Sequence, residues 1–196
     1  MGSKRIFCLN GHPADTSLNK HLIETYAGAA RNAGHEVRLT HLRDLNFDPD
    51  YGYGGYETWK PLEPDLEQMM ADLEWSEHFV LAAPLWWGSL PAKLKGMFDR
   101  AFLPGRAFDP RNTLMGMPAP LLTGRTGRII ITSGTPNLFL RLMYKNAMHV
   151  QVRKQIFEFV GVKPVRISQF GDAAEAKPTN VEKWGKELRR LAAKAE

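Results

Sequence analysis

The sequence contains a single cysteine among its 196 residues and no long apolar run. Cys8 has no second cysteine to pair with, which excludes an intrachain disulfide, and its place inside an apolar segment predicts an inert buried thiol. No stretch approaches the roughly 20 consecutive apolar residues that a transmembrane helix needs. The first residues run into a strand-like pattern without a small-residue cleavage site, so we expect no secretory signal and a cytoplasmic protein.

Several motifs of nucleotide and metal sites are also missing. Neither the P-loop pattern Gly-x-x-x-x-Gly-Lys-Ser/Thr nor the dinucleotide turn Gly-x-Gly-x-x-Gly occurs. The histidines His21, His35, His41 and His78 have no spacing that would assemble metal ligands. No Ser/His/Asp or Cys/His nucleophile arrangement is evident either. We therefore expect no metal site and no hydrolase.

Charge is distributed unevenly, although the net charge is only +5. Residues 1–100 hold 10 Lys and Arg against 14 Asp and Glu, whereas residues 101–196 hold 16 against 7. Between Arg125 and Arg166 there are eight basic residues and one acid, Glu158. This segment is a nucleic-acid surface, a solvated basic face, or a region that attracts the phosphates of a nucleotide substrate. Because no recognition helix or stacking-sheet motif accompanies it, we expect no nucleic-acid partner.

Five apolar strand-like runs alternate with longer amphipathic segments. The predicted strands are 5–10, 36–41, 78–83, 127–132 and 164–170, and the predicted helices are 17–33, 65–76, 91–101, 138–160 and 180–194. Continuous apolar strands between helices predict one α/β domain over residues 1–196, with a parallel sheet in the order 2-1-3-4-5 and helices on both faces. Ligands of such sheets bind beyond the carboxyl ends of the strands, here at the loops after strands one, three and four.

The loop after the first strand favours phosphate binding. It is small and polar, and it leads directly into a helix, whose N-terminus offers unpaired N–H groups and partial positive charge. Hydrogen bonds would come from His12, Thr16, Ser17 and Asn19. The alternative is that Ser17 only caps the helix.

Two tryptophans follow the third strand. Trp86 and Trp87 stand just before a helix that Pro91 opens, and such large side chains are costly to leave exposed at the edge of a sheet. A flat aromatic ligand would cover them, and Gly88 would let backbone N–H groups approach it. The alternative is packing of both indoles in the core or in a subunit interface.

The loop after the fourth strand, Thr132-Ser-Gly-Thr-Pro136, again combines small and hydroxyl residues. Its backbone donors would face negative charge that develops on a reduced ring. Two further connections, 46–64 and 102–125, are longer than a compact domain requires, which is typical of functional or interface segments.

Together these loops resemble the flavodoxin-like NAD(P)H:quinone oxidoreductases, the diaphorase group and its shorter bacterial relatives. The most specific match is segment 84–102, Pro-Leu-Trp-Trp-Gly-Ser-Leu-Pro-Ala-Lys-Leu-Lys-Gly-Met-Phe-Asp-Arg-Ala-Phe. Supporting matches are Gly11-His-Pro with Ser17-Leu-Asn, then segments 44–49, 105–108 and 157–161. The resemblance spans most of residues 4–170 and implies a flavodoxin-like three-layer sandwich.

The resemblance also implies roles for single residues. Those around the flavin phosphate would be His12, Ser17, Leu18 and Asn19. Those along the flavin ring would be Pro84, Leu85, Trp86 and Trp87 at the isoalloxazine edge, and Ser133, Gly134 and Thr135 at the pyrimidine end. Phe108 would close the acceptor pocket, often from a partner subunit, while Tyr144 and His149 are the candidates for a catalytic charge relay.

The family implies the function as well: hydride transfer from NAD(P)H through a bound flavin to a quinone or similar aromatic acceptor, by a homodimer. A C-terminal extension that completes adenine binding in FAD relatives is absent, which favours FMN over FAD. One alternative is a flavin-bearing regulatory subunit of a membrane transporter of the potassium-efflux type, with the basic half as its docking face. An electron-carrying flavodoxin is disfavoured, because those proteins are generally acidic and this chain has a pI of about 9.4.

Overall fold

A five-stranded parallel sheet forms the centre of the protein, whose computed structural model describes residues 2–51 and 60–196. The strands in this part of the chain are β1 (Arg5–Asn10), β2 (Glu36–His41), β3 (His78–Pro84), β4 (Phe108–Leu114), β5 (Met117–Pro120), β6 (Thr126–Thr132) and β7 (Val165–Phe170). The parallel sheet has the order β2-β1-β3-β6-β7, and β4 pairs with β5 in a separate antiparallel hairpin. The predicted order 2-1-3-4-5 of the parallel strands is therefore confirmed.

Helices cover both faces of this sheet, as predicted. They are α1 (Leu18–Asn32), α2 (Pro64–Trp75), α3 (Ala92–Ala101), α4 (Asn137–Leu142), α5 (Ala147–Val150), α6 (Glu158–Val160) and α7 (Pro178–Ala192), with a π-helical stretch (Gln151–Phe157) joining α5 to α6. Helices α1 and α7 pack on one face, and α2, α3 and the α5–α6 segment pack on the other. This arrangement is the three-layer sandwich of the flavodoxin-like fold.

Alternate residues of each strand enter the two cores. In β1, Phe7 and Leu9 face the core beneath α2 and α3, whereas Ile6 and Cys8 face the core beneath α1 and α7. Each fully buried side chain of this size contributes on the order of 1.5–3 kcal/mol, so a strand covered on both faces must be apolar throughout. Cys8 is fully buried, and burial raises the pKa of its thiol to about 12.

The helix predicted over 138–160 is wrong as a single element. Helix α4 ends at Leu142, and the chain turns through Lys145 and Asn146, both with positive φ, before α5 begins. An asparagine accepts this left-handed conformation more readily than most residues, because its short side chain can hydrogen-bond locally. The break turns Tyr144 and residues 146–149 toward the carboxyl edge of the sheet, where they line a cavity.

Two connections are longer than a compact domain requires. Segment 102–125, which was not predicted to contain a strand, forms the hairpin of β4 and β5. In 46–64 residues 52–59 lie outside the described residues, but both flanking ends meet the fully buried Arg100 of α3. Its guanidinium donates to the backbone oxygens of Asp48 (2.6 Å) and Pro61 (2.8 Å) and pairs with Glu63 (3.1 Å), which holds the two ends of the connection together.

Candidate functional site

The loops after β1, β3 and β6 converge at the carboxyl edge of the sheet. Two of them, with the segment after α4, enclose a cavity of about 500 Å³. Eight of the site residues predicted from the sequence line this cavity: Leu85, Trp87, Gly88, Ser133, Gly134, Thr135, Tyr144 and His149. The β1 loop adjoins them through an edge-to-face contact between the His12 and Trp86 rings, whose centroids are 5.4 Å apart. The structure thus brings residues from all three predicted loops to one place.

The loop after β1 ends in a capped helix. The Ser17 hydroxyl oxygen accepts a hydrogen bond from the backbone N–H of Lys20 at 3.1 Å, so Ser17 does cap α1, whereas Thr16 is exposed and Leu18 half-buried. Asn19 is buried in the first turn and accepts a hydrogen bond from the Thr132 hydroxyl at 2.8 Å. Its amide nitrogen, Nδ2, is buried without a partner among the described residues. A buried donor left unpaired costs about 1–3 kcal/mol, and this one stands where a helix N-terminus attracts an anion.

His12 is held in one tautomer. Its Nδ1 accepts a hydrogen bond from the backbone N–H of Ala14 at 3.1 Å, which leaves the ring proton on Nε2. Partial burial lowers the pKa of His12, so the ring is neutral at pH 7. His12 therefore offers one N–H donor beside the N-terminus of α1.

The two tryptophans belong to a tight turn. The backbones of Trp86 and Ser89 exchange two hydrogen bonds, at 3.0 and 2.9 Å, and the residues between them, Trp87 and Gly88, both have positive φ. Positive φ at both central residues is the pattern of a type I′ turn, which at a tryptophan stores strain of order 1–3 kcal/mol. The Trp87 side chain is fully exposed while Trp86 is half-exposed. The turn thus presents an indole to the cavity that contributes nothing to the core.

The base of this turn continues β3. Pro84 is buried at the end of the strand, and the backbone N–H of Leu85 donates to the Thr132 oxygen of β6 at 2.8 Å. This bond fixes the turn against the neighbouring loop, and through Thr132 against Asn19. The positions of all three loops are consequently coupled.

The loop after β6 differs in part from expectation. The backbone N–H of Ser133 donates to the Phe170 oxygen at 3.0 Å, and that of Thr135 donates to the Ser133 hydroxyl oxygen at 2.9 Å. These two backbone donors are engaged within the protein, so the expectation that they face a ligand is corrected. The loop still lines the cavity with Gly134 and the side chains on either side of it.

Tyr144 and His149 both line the cavity, on the side formed by the break after α4. The His149 Nε2 donates a hydrogen bond to the Gln169 amide oxygen, which can only accept, so the ring proton lies on Nε2. Burial lowers the pKa of His149; the hydrogen bond to Gln169 partly offsets this effect, and nearby Arg153 lowers the pKa further. A neutral imidazole and a phenolic hydroxyl thus stand on the same wall.

Five lining residues were not predicted: Leu140, Asn146, Ala147, Met148 and Gln169. Gln169 is the last residue but one of β7, and the sequence could have predicted it. The rule that ligands bind at the carboxyl ends of parallel strands, which selected the other loops, also applies to this strand. Leu140 lies in α4 itself, whereas Asn146, Ala147 and Met148 depend on the break after α4, which the sequence pattern did not show.

Phe108 lies elsewhere in the chain. It begins β4, packs edge-to-face on Phe159 at 5.4 Å, and lines a second cavity, of about 710 Å³, together with Phe98, Phe102 and Gln151. Within one chain the structure does not bring it to the first cavity. Its contribution to a partner's pocket stays a prediction.

In residues 2–51 and 60–196, no three His, Cys, Asp or Glu side chains are grouped so that they could hold a metal ion. A second search, for helices of sufficient length and hydropathy to cross a bilayer, found none in the same part of the chain.

Comparisons with known proteins agree with this architecture. The chain is 31% identical over 112 residues to the uncharacterized NAD(P)H oxidoreductase YcaK of Escherichia coli K12 (55% of this chain, 57% of that protein). It is 27% identical over 174 residues to an FMN-dependent NADH:quinone oxidoreductase of Ruegeria pomeroyi, covering 79% and 81% of the two chains. The solved NAD(P)H:quinone oxidoreductase from Methanothermobacter marburgensis matches with a TM-score of 0.81 and 22% identity over 98% and 96% of the chains.

The match to YcaK spans little more than half of that protein. A second match, to rat ribosyldihydronicotinamide dehydrogenase [quinone] at 26% identity, covers 55% of that relative. The family model, by contrast, matches nearly the whole chain: it is described as the flavodoxin-like fold and covers residues 4–193. The resemblance to NAD(P)H:quinone oxidoreductases is thereby confirmed, and the chain belongs to the flavodoxin-like family.

Proposed function

We propose that the protein is an FMN-dependent NAD(P)H oxidoreductase that reduces quinone-like acceptors. The observation that carries this proposal is a cavity with an exposed indole on its wall, beside a helix N-terminus that holds an unpaired buried amide donor. The names of the relatives support it: one is called an FMN-dependent NADH:quinone oxidoreductase and another an NAD(P)H oxidoreductase.

The residues present fit a flavin mononucleotide. Its phosphate would be held at the N-terminus of α1 by Ser17, Leu18 and Asn19, with Asn19 Nδ2 gaining the partner that it lacks. Thr16, exposed at the same edge, would add a hydroxyl donor. An Nε2–H donor from His12 lies next to the indole of Trp86, at the junction between the phosphate end and the ring end. None of these residues carries a negative charge, and each offers an N–H or O–H donor from its side chain or backbone, as the binding of an anion requires.

The ring end fits a flat aromatic group. Pro84, Leu85 and Trp86 would lie along its edge, while Trp87 and Gly88 form one wall of the cavity and the loop Ser133, Gly134 and Thr135 forms another. Covering an indole with an aromatic ring removes apolar surface from water and adds ring stacking. These walls would also exclude water from the reacting atoms.

When bound, FMN would accept two electrons as hydride from NAD(P)H and pass them to a quinone, which takes up protons to become the hydroquinone. The chain's own residues would orient the two substrates. Tyr144 lines the cavity, and its hydroxyl would donate a hydrogen bond to an acceptor carbonyl there. His149, whose Nε2 proton is bound to Gln169, keeps Nδ1 as an acceptor and fixes that wall.

NAD(P)H and the acceptor would bind in turn over the flavin ring, because a cavity of about 500 Å³ that already holds the ring leaves room for one further flat ligand at most. We therefore expect ping-pong kinetics. With the FMN-loaded protein, double-reciprocal plots at several acceptor concentrations should give parallel lines. Intersecting lines would show that both substrates bind together and would contradict the shared cavity.

We also propose a homodimer. The support is the second cavity, which lies open on the surface and is lined by Phe98, Phe102, Phe108 and Phe159 beside polar residues, and a second subunit would cover these rings. Light scattering at micromolar concentration should give twice the chain mass of 22.1 kDa. A mass equal to one chain would contradict the proposal.

A further inference from the structure

We propose that helix α4 and the turn after it dock the protein on a membrane surface that contains anionic lipids. The surface, here called the α4 patch, consists of the apolar residues Leu138, Phe139, Leu142 and Met143 and the cations Arg141 and Lys145. Contact with lipid at this patch does not depend on the proposed function. Only its consequence for acceptor delivery does.

The apolar part of the α4 patch is exposed in an unusual way. Its four side chains are between 45% and 65% exposed, although each is large and apolar. Because they stand at positions i, i+1, i+4 and i+5, they share one side of α4, while Leu140, only 4% exposed, anchors the opposite side in the protein. A cluster of this kind, unlike single exposed apolar residues, marks an interaction surface.

The charge of the segment that carries the patch points to the chemistry of its partner. The chain carries no Asp or Glu from residue 126 to residue 157. Arg141 and Lys145 are exposed, and neither makes an ion pair or a side-chain hydrogen bond with the residues that the structure describes. Apolar side chains that enter the headgroup region, flanked by cations, are the pattern of an interfacial helix on an anionic bilayer.

Other occupants fit less well. Where a two-fold axis passes through the patch, the patch meets its own copy, so Arg141 and Lys145 would face identical cations without an acid to neutralise them. A nucleic acid would satisfy the cations but would leave four large apolar side chains against phosphate and water. An anionic bilayer satisfies both parts of the patch.

The location of the patch connects membrane docking with the proposed function, because the patch adjoins the first cavity. Tyr144, the residue after Met143, lines the first cavity, and so does the fully exposed Trp87. A protein seated on the bilayer by the α4 patch would hold the mouth of this cavity close to the membrane. Lipophilic acceptors dissolved in the bilayer would then reach the cavity without crossing bulk water.

Vesicle co-sedimentation tests the proposal with the purified full chain. We expect sedimentation with phosphatidylcholine vesicles that contain phosphatidylglycerol, and much less with pure phosphatidylcholine. The double variant Arg141→Gln/Lys145→Gln should bind the anionic vesicles about 25-fold more weakly, since each cation near such a surface contributes about fivefold. Leu142→Gln/Met143→Gln should weaken binding about tenfold or more, because two apolar side chains no longer enter the interface.

Met115→Gln is the control, because Met115 is even more exposed than Met143, the methionine of the patch, but lies in the turn between β4 and β5. It should bind like the unchanged protein, and all variants should keep their thermal midpoint and their turnover of a water-soluble quinone. No sedimentation with anionic vesicles, or equal binding by all variants, would overturn the proposal. The proposal would also be overturned if the patch variants converted a dimer to a monomer and the unchanged protein did not sediment with vesicles.

Discussion

Asn19→Asp should weaken FMN binding about a hundredfold at pH 8. The substituted carboxylate keeps the oxygen that accepts from Thr132, but it replaces the unpaired Nδ2 donor with a negative oxygen at the proposed phosphate position. Loss of a hydrogen bond to a charged group costs about 1.5–3 kcal/mol, and repulsion adds to it. Titration of the apoprotein with FMN, followed by flavin fluorescence, gives the change in Kd directly.

Thr132→Val is the matched control for this substitution. It removes the Asn19–Thr132 hydrogen bond that Asn19→Asp keeps, and it leaves the Asn19 donor in place, so the free energy of unfolding should fall by about 1 kcal/mol while the Kd for FMN changes less than about threefold. If both variants lose affinity equally, Asn19 acts only by holding α1 against β6. The assignment of its amide to the phosphate would then fail.

Trp87→Ala should weaken FMN binding about tenfold to a hundredfold. The substitution removes stacking and apolar contact worth on the order of 1–3 kcal/mol from the cavity wall. Because Trp87 is fully exposed in the flavin-free fold, it contributes no core packing, and the free energy of unfolding of the apoprotein should change by less than about 0.5 kcal/mol. Flavin retained through gel filtration, with chemical denaturation of the apoprotein, measures both quantities.

Two controls make this test specific. Trp87→Phe keeps a flat aromatic face in the same turn and should lose less affinity than Trp87→Ala. Trp75→Ala removes an indole at the end of α2, where Arg38 stacks on the ring at 4.1 Å, and should leave flavin binding unchanged. Full flavin content and normal turnover in Trp87→Ala would contradict the placement of the 86–89 turn at the ring.

The parallel sheet was predictable because its strands obey a simple physical rule. A strand covered by helices on both faces has no face exposed to water, so segments such as 78–83 and 127–132 consist mainly of consecutive apolar residues. The same rule placed the ligand loops, since parallel strands end at one edge. The hairpin of β4 and β5 escaped prediction because Asp109, Arg111 and Thr113 give it a polar, loop-like sequence.

The interior of the site was less predictable than its location. Amphipathic periodicity continues across residues 143–146, so nothing in the pattern marks the left-handed turn at Lys145 and Asn146 that creates one wall of the cavity. Backbone hydrogen bonding is likewise a tertiary property. That the N–H of Ser133 pairs with Phe170 depends on the position of β7, which a local motif does not specify.

The absorption spectrum of the purified protein, after incubation with FMN and removal of free flavin, tests the central claim most directly. The account predicts yellow protein with about one flavin per chain, whose visible absorption bleaches when NADH or NADPH is added without oxygen and returns when a quinone follows. Protein that stays colourless after incubation with either FMN or FAD would contradict it.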